Sequence, residues 1–149
     1  MKLNRKGFTL VELLAVIIIL AIVVGITIPA IMTSVNDARK SGFQTAANTA
    51  ADWLERQAQS YAVGDTNISP VDSAYETNFI SGGSYATEVN LDSNDTNFAD
   101  VIKAAGLQVK NISAIKATYS NGRYCVELTA STDGDYKNQT ENAKSANCG

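Results

Sequence analysis

Lys6-Gly7-Phe8-Thr9-Leu10-Val11-Glu12-Leu13-Leu14 opens an apolar run that continues with few interruptions to Met32, and Glu12 is its only charge. As a helix rising 1.5 Å per residue, residues 8–32 extend about 37 Å, enough to cross the hydrocarbon of a bilayer with some tilt. Lys2, Arg5 and Lys6 precede the run, and this basic stub marks the cytoplasmic side by the positive-inside rule. A secretory signal would have a shorter apolar region, roughly 7–15 residues, closed by a small-x-small cleavage site. Here the run passes through Gly25-Ile26-Thr27-Ile28-Pro29-Ala30 without such a site. The expectation is a retained, single-pass membrane segment.

Glu12 is the feature a plain anchor leaves unexplained. At the edge of the span its insertion cost lies below the roughly 2.5–3.5 kcal/mol of a mid-bilayer acid. One reading is an acid favoured by the helix dipole and able to snorkel. In another, cleavage after Gly7 removes all three basic side chains and creates an amine on Phe8, one turn before Glu12. The carboxylate then serves as counter-ion to that amine, either in its own helix or in a neighbouring copy displaced by one step. In the second arrangement the pair sets register between subunits, the best-attested use of buried charge.

Gly7-Phe8-Thr9-Leu10-Val11-Glu12-Leu13 resembles the processing site of type IV prepilins, which carry a class III signal peptide: a basic leader, Gly, Phe, and Glu fifth in the mature chain. Pro29 matches the family's usual proline, and the seven-residue leader is similar to the short leaders of the type IVa group. The resemblance implies cleavage between Gly7 and Phe8 by a membrane-embedded prepilin peptidase, with N-methylation of Phe8. It further implies assembly into a helical homo-oligomeric filament by a platform protein and ATPase, with Phe8, Glu12 and Pro29 as assembly residues. The subunit would stand in the cytoplasmic membrane first and in an extracellular pilus afterwards, serving adhesion, twitching motility or DNA uptake. The alternative is a pseudopilin of a type II secretion or competence DNA-uptake machine. The implied fold is α+β: a long N-terminal helix packed on a small antiparallel sheet, with a disulfide-bounded C-terminal loop. Around Gly25 and Pro29, which weaken a helix, similar pilins stretch or melt in the filament.

The chain has 149 residues, two cysteines and no histidine, so it lacks the commonest general base and metal ligand. From Thr33 onward 9 Lys/Arg face 14 Asp/Glu, an acidic balance that makes nucleic acid an unlikely general partner. The expected organisation is a leader at 1–7, a transmembrane and filament-core helix at 8–33, and the amphipathic half of the same helix at 34–63. A connecting region at 64–110 with a short helix near 98–105 follows, and then a β-hairpin and C-terminal loop at 111–149. Phe43, Ala47, Ala50, Leu54, Ala58 and Tyr61 form one helical stripe, with Trp53 beside it and Gly64 as a stop.

Residues 65–96, rich in Asn, Asp, Ser, Thr and Gly, read as a surface connection with little regular structure and room for one short strand. Asn97 is expected to cap the short helix and Gly106 to end it. Asn121-Gly122 is the strongest two-residue hairpin signal. It places Tyr119 opposite Tyr124, Ala117 opposite Val126 and Ile115 opposite Leu128, with Lys116 and Glu127 paired on the other face. Leu107–Val109 or a later strand would extend the sheet. Cys125 and Cys148 most simply form one disulfide, the alternative being two buried thiols. The resemblance matches them to the loop near the C terminus of many type IV pilins, here the polar stretch from Ser131 to Gly149.

No enzyme signature is present: no Gly-rich phosphate loop, CxxC or HExxH, and no cofactor or metal is implied. Asp133 and Asp135 read as a polar turn. Asp92-Ser93-Asn94-Asp95 fails the calcium-loop pattern, because Asn97 stands at the glycine position and Lys103 at the final acid. Asn67, Asn94, Asn111 and Asn138 begin Asn-x-Ser/Thr triplets, which chance explains in a chain of this composition.

Overall fold

A computed structural model describes residues 7–64 and 72–148, apart from the side chain of Ala30. The basic residues Lys2, Arg5 and Lys6 and the Asn67 triplet lie outside the described residues. The chain divides between Asp37 and Ala38 into two compact units, and helix α1, Leu10–Val63, contributes to both.

In the first unit α1 carries its apolar residues fully outward: Leu10, Val11, Ile19 and Ile26 are all largely exposed. An apolar surface of this kind is suited to lipid or to neighbouring copies, not to a core of its own. The helix passes through Pro29 unbroken. Proline lacks the N–H that would reach the carbonyl four residues back, so the Gly25 carbonyl has no helical partner. Thr27 and Thr33 donate from their hydroxyls to the carbonyls of Val24 (3.3 Å) and Pro29 (2.9 Å), keeping these polar groups satisfied within the helix.

The second unit is built on the stripe. Phe43, Ala47, Ala50, Leu54 and Ala58 are buried, and Tyr61 packs at the rim. Trp53 is buried beside them, edge-on to Tyr75 and Phe79. The facing layer is a four-stranded antiparallel sheet in the order β3 (Glu88–Asp92), β4 (Ile112–Ser120), β5 (Arg123–Ala130) and β6 (Ala143–Lys144). Its inward residues Ile115, Ala117, Tyr124, Val126 and Leu128 are buried with the helix stripe in one cluster. Each large side chain in it contributes about 1.5–3 kcal/mol by burial.

The β4–β5 turn has Asn121 at φ 52° and Gly122 at φ 78°, the double positive φ of a type I′ turn. The register is Tyr119 to Tyr124, Ala117 to Val126, Lys116 to Glu127 and Ile115 to Leu128. One detail differs from expectation. Lys116 forms its ion pair with Glu88 at 3.3 Å, and Glu127 forms its own with Lys144 at 3.8 Å. The flanking strands β3 and β6 bring competing charges alongside both members of the pair.

Two further expectations are corrected, and one left open is settled. Residues 72–96 are ordered into α2 (Ser73–Phe79), a hairpin of β1 (Ile80–Ser81) and β2 (Ser84–Tyr85), and β3. The apolar islands are the cause: Tyr75 and Phe79 are fully buried, stacked at 5.5 Å, and Tyr85 donates to the Ala58 carbonyl at 3.1 Å. The segment after α3 (Phe98–Ala104) is no strand but a 3₁₀ turn, Val109–Asn111; of the two expected extensions it is the later strand, β6, that joins the hairpin, with β3 on its other side. Asn97 precedes α3 in a helical conformation without a side-chain cap, its amide donating to Asn78 at 3.3 Å. Gly106, at φ 78°, closes that helix.

The polar C-terminal stretch is packed on the rest of the second unit. Asn111 is buried, and its amide accepts from the Asp135 N–H at 2.9 Å and donates to the Asp135 carboxylate at 3.1 Å. Tyr136 lies 4.9 Å from Phe43, centroid to centroid. Cys125 and Cys148 are joined by a disulfide across 23 positions, on the sheet face opposite the tyrosines.

Candidate processing and assembly site

The site lies at the start of α1. Gly7 has no other group within 4 Å of the position a Cβ would take, and Phe8 is 91 % exposed. Among the described residues, nothing crowds the Gly7–Phe8 bond. Helix formation begins one residue after Thr9, not at Phe8, because Thr9 serves as the N-cap. The Glu12 N–H donates to the Thr9 hydroxyl at 3.3 Å. In return the Glu12 carboxylate accepts from the Thr9 N–H at 2.8 Å and from its hydroxyl at 2.9 Å. The Leu13 N–H closes the first turn on the Thr9 carbonyl at 3.2 Å.

This reciprocal arrangement is a capping box. It gives Glu12 partners within its own chain, lowering the cost of an acid at the edge of an apolar segment. Sequence reasoning weighed the helix dipole and the Phe8 amine as partners for Glu12 and missed Thr9. The signal was present as Thr9-Leu10-Val11-Glu12, the Ser/Thr-x-x-Glu pattern.

Of the residues singled out, Gly7, Phe8 and Glu12 lie within six consecutive positions at the start of α1. Pro29 sits some five turns further along the same helix, and the two cysteines belong to the second unit. Among the described residues no group of three or more Cys, Asp or Glu is arranged to hold a metal ion. The acids of Asp92-Ser93-Asn94-Asp95 are occupied locally: Asp92 accepts from the Asn94 N–H and Asp95 from the Asp92 N–H, both at 2.7 Å. Asp135 is held by Asn111 and lies 3.7 Å from Lys110. Asn111 is buried, whereas Asn94 and Asn138 are exposed.

The helix is long and apolar enough to cross a membrane. Residues 2–28 match the family model of the prokaryotic N-terminal methylation motif, the class III signal peptide shared by type IV pilins and pseudopilins. The second unit, with α1 packed on an antiparallel sheet and a C-terminal disulfide, is consistent with a pilin fold. Neither a curated protein nor a solved structure matches the chain. The motif is one that type IV pilins and pseudopilins share; it implies processing by a prepilin peptidase, and with the apolar helix it fits membrane anchoring before assembly.

Proposed function

We propose that the chain is the structural subunit of a type IV pilus, cleaved between Gly7 and Phe8, N-methylated at Phe8 and assembled into a helical surface filament without catalysis of its own. The observation that carries this reading is the methylation motif on an α1 segment whose apolar side chains all face outward and whose single acid is Glu12. Such a helix has no stable place in water, and the two environments that suit it in turn are lipid and the core of a filament. Cleavage sets a new amine beside the Thr9 N–H that already holds Glu12. The carboxylate can then exchange its capping partners for an amine, in its own chain or in a neighbour, and the second exchange fixes subunit register. A platform protein and an assembly ATPase are the partners this process needs.

The pseudopilin reading shares the motif. The disulfide-bounded C-terminal loop favours the pilus, since the major secretion pseudopilins resemble this chain at the N terminus but place a calcium loop near the C terminus.

The deciding experiment is mass spectrometry of the N-terminal peptide from material sheared off intact cells of the source organism. An abundant peptide beginning at N-methylated Phe8 is expected. Phe8-starting chains confined to the membrane fraction would move the pseudopilin ahead, and chains retaining Lys2 to Gly7 would make the protein an uncut anchor. Gly7→Ser should block cleavage. Glu12→Ala should leave a cleaved, membrane-inserted subunit that enters filaments poorly, and normal piliation by that variant would refute the charge-exchange step.

A further inference from the structure

The last residues of the chain are held at many points besides the disulfide. Along α1, Lys40 pairs with Glu141 at 3.7 Å, and the Gln44 amide donates to the Lys144 carbonyl. Asn48 accepts from the Ala146 N–H at 2.8 Å, and Glu55 accepts from the Asn147 amide at 2.7 Å. Helix positions 40, 44, 48 and 55 follow at steps of four, four and seven, which is one face of an α-helix. The tail meets that face in chain order.

On its other side β6 pairs with β5, Lys144 opposite Glu127 and Ala143 opposite Leu128. Beyond β6, Ser145 continues the match with its side chain. Its N–H donates to the Val126 carbonyl at 2.8 Å, and its hydroxyl accepts from the Val126 N–H at 3.0 Å. Ser145 is only 3 % exposed. The Cys148 N–H donates to the Ser145 carbonyl at 3.1 Å, and the Cys148 sulfur lies 3.6 Å from the Ser145 hydroxyl.

We propose that residues 141–148 form a self-sufficient latch, which docks between α1 and β5 without the disulfide and delivers Cys148 to Cys125, so that the disulfide closes last. Loop closure is the main cost of docking, and it grows with the length of chain left free. The Asn111–Asp135 pair and the Tyr136–Phe43 contact already fix the chain shortly before the latch. The free segment is therefore the short one between Tyr136 and Glu141, not the whole stretch between the cysteines. Oxidation then removes two protons and two electrons from the docked thiols, and oxidised glutathione or a comparable disulfide takes them up as two thiols. The disulfide acts as a lock on a finished surface and not as a switch. Ser145 is a positioning residue for Cys148.

The test is amide hydrogen exchange on the full chain in detergent micelles, oxidised and reduced with dithiothreitol, read at Val126 and Ser145. In the reduced chain both amides should remain at least about a hundredfold slower than in an unstructured chain. Asn48→Ala should speed their exchange in the reduced chain by about fivefold, the worth of one net hydrogen bond, and Ser145→Ala should speed Val126 by about tenfold or more. Should Ser145→Ala fail to fold, Asn48→Ala alone decides. Exchange at the unstructured rate on reduction would show that the disulfide holds the tail, and unchanged exchange in reduced Asn48→Ala would show that the helix-face bonds do not. Either result overturns the latch.

Discussion

Gly134 and Gly42 are both glycines near Tyr136, yet the same substitution should act with opposite sign at the two. Gly134 is buried in the turn that seats the tail on Asn111. A Cβ there would lie 2.6 Å from the Asn111 Cα and 2.7 Å from the Lys110 carbonyl oxygen. Both obstacles are backbone, so relief requires the turn to lift. Overpacking of this kind costs about 1–3 kcal/mol. If the turn lifts far enough to break both Asn111–Asp135 bonds, about 1 kcal/mol is lost with each. Gly134→Ala should therefore destabilise the second unit by about 3–5 kcal/mol if both bonds break, and by about 1–3 kcal/mol if they hold. Gly42 lies inside α1, where a Cβ would meet only the Tyr136 ring, at 3.6 and 3.7 Å, an ordinary contact. Replacing a helical glycine by alanine there should stabilise by about 0.5–1 kcal/mol. Trp53, the chain's only tryptophan, is 6 % exposed in this core and reports unfolding directly. Urea titration of the full chain in micelles, followed by Trp53 fluorescence, should move the midpoint down for Gly134→Ala and up for Gly42→Ala. A Gly134→Ala midpoint equal to wild type would refute the close packing of the tail turn on Asn111.

The Tyr75 and Tyr124 hydroxyls meet at 3.0 Å inside the core. Tyr75→Phe leaves one buried hydroxyl without its partner and should cost about 1–3 kcal/mol, while the Tyr75→Phe/Tyr124→Phe double variant should recover most of the loss in the same titration. Burial raises the pKa of both hydroxyls above the ordinary tyrosine value near 10. Their contribution to stability is thus fully present below pH 10 and lost as the unfolded tyrosines ionise above it. Urea midpoints should be flat from neutrality to about pH 9.5 and fall beyond, with a shallower fall in the double variant; equal slopes would count against the buried pair as the cause. At the head of α1, Thr9→Ala removes the N-cap and should weaken the first turn by about 1 kcal/mol. Faster amide exchange at Glu12 in micelles would show it, and an unchanged rate would mean that the capping box does not hold the turn.

What the sequence discloses and what it hides follow the range of the interactions involved. The β4–β5 hairpin was legible because three local signals agree: the Asn121-Gly122 turn, the apolar alternation on both strands, and the placement of Lys116 opposite Glu127. The helix stripe from Phe43 to Tyr61 was legible for the same reason. β3 carries the alternation too, in Val89 and Leu91, but the polar residues around it outweighed two apolar positions. Lys116 and Glu127 stand opposite each other as the register requires, while their ion partners Glu88 and Lys144 come from strands that the hairpin alone does not predict. Strand β6 is two residues long and has no local signal. What fixes it is a set of polar groups on α1, roughly a hundred positions earlier in the chain, together with the side chain of Ser145. At the N terminus the opposite holds. The Thr9–Glu12 box lies within four residues and is legible in the sequence as Thr-x-x-Glu, although an acid in an apolar run suggests the helix dipole and the Phe8 amine first. The structure supplies the nearer one first, and any assembly role for Glu12 has to begin by releasing it from Thr9.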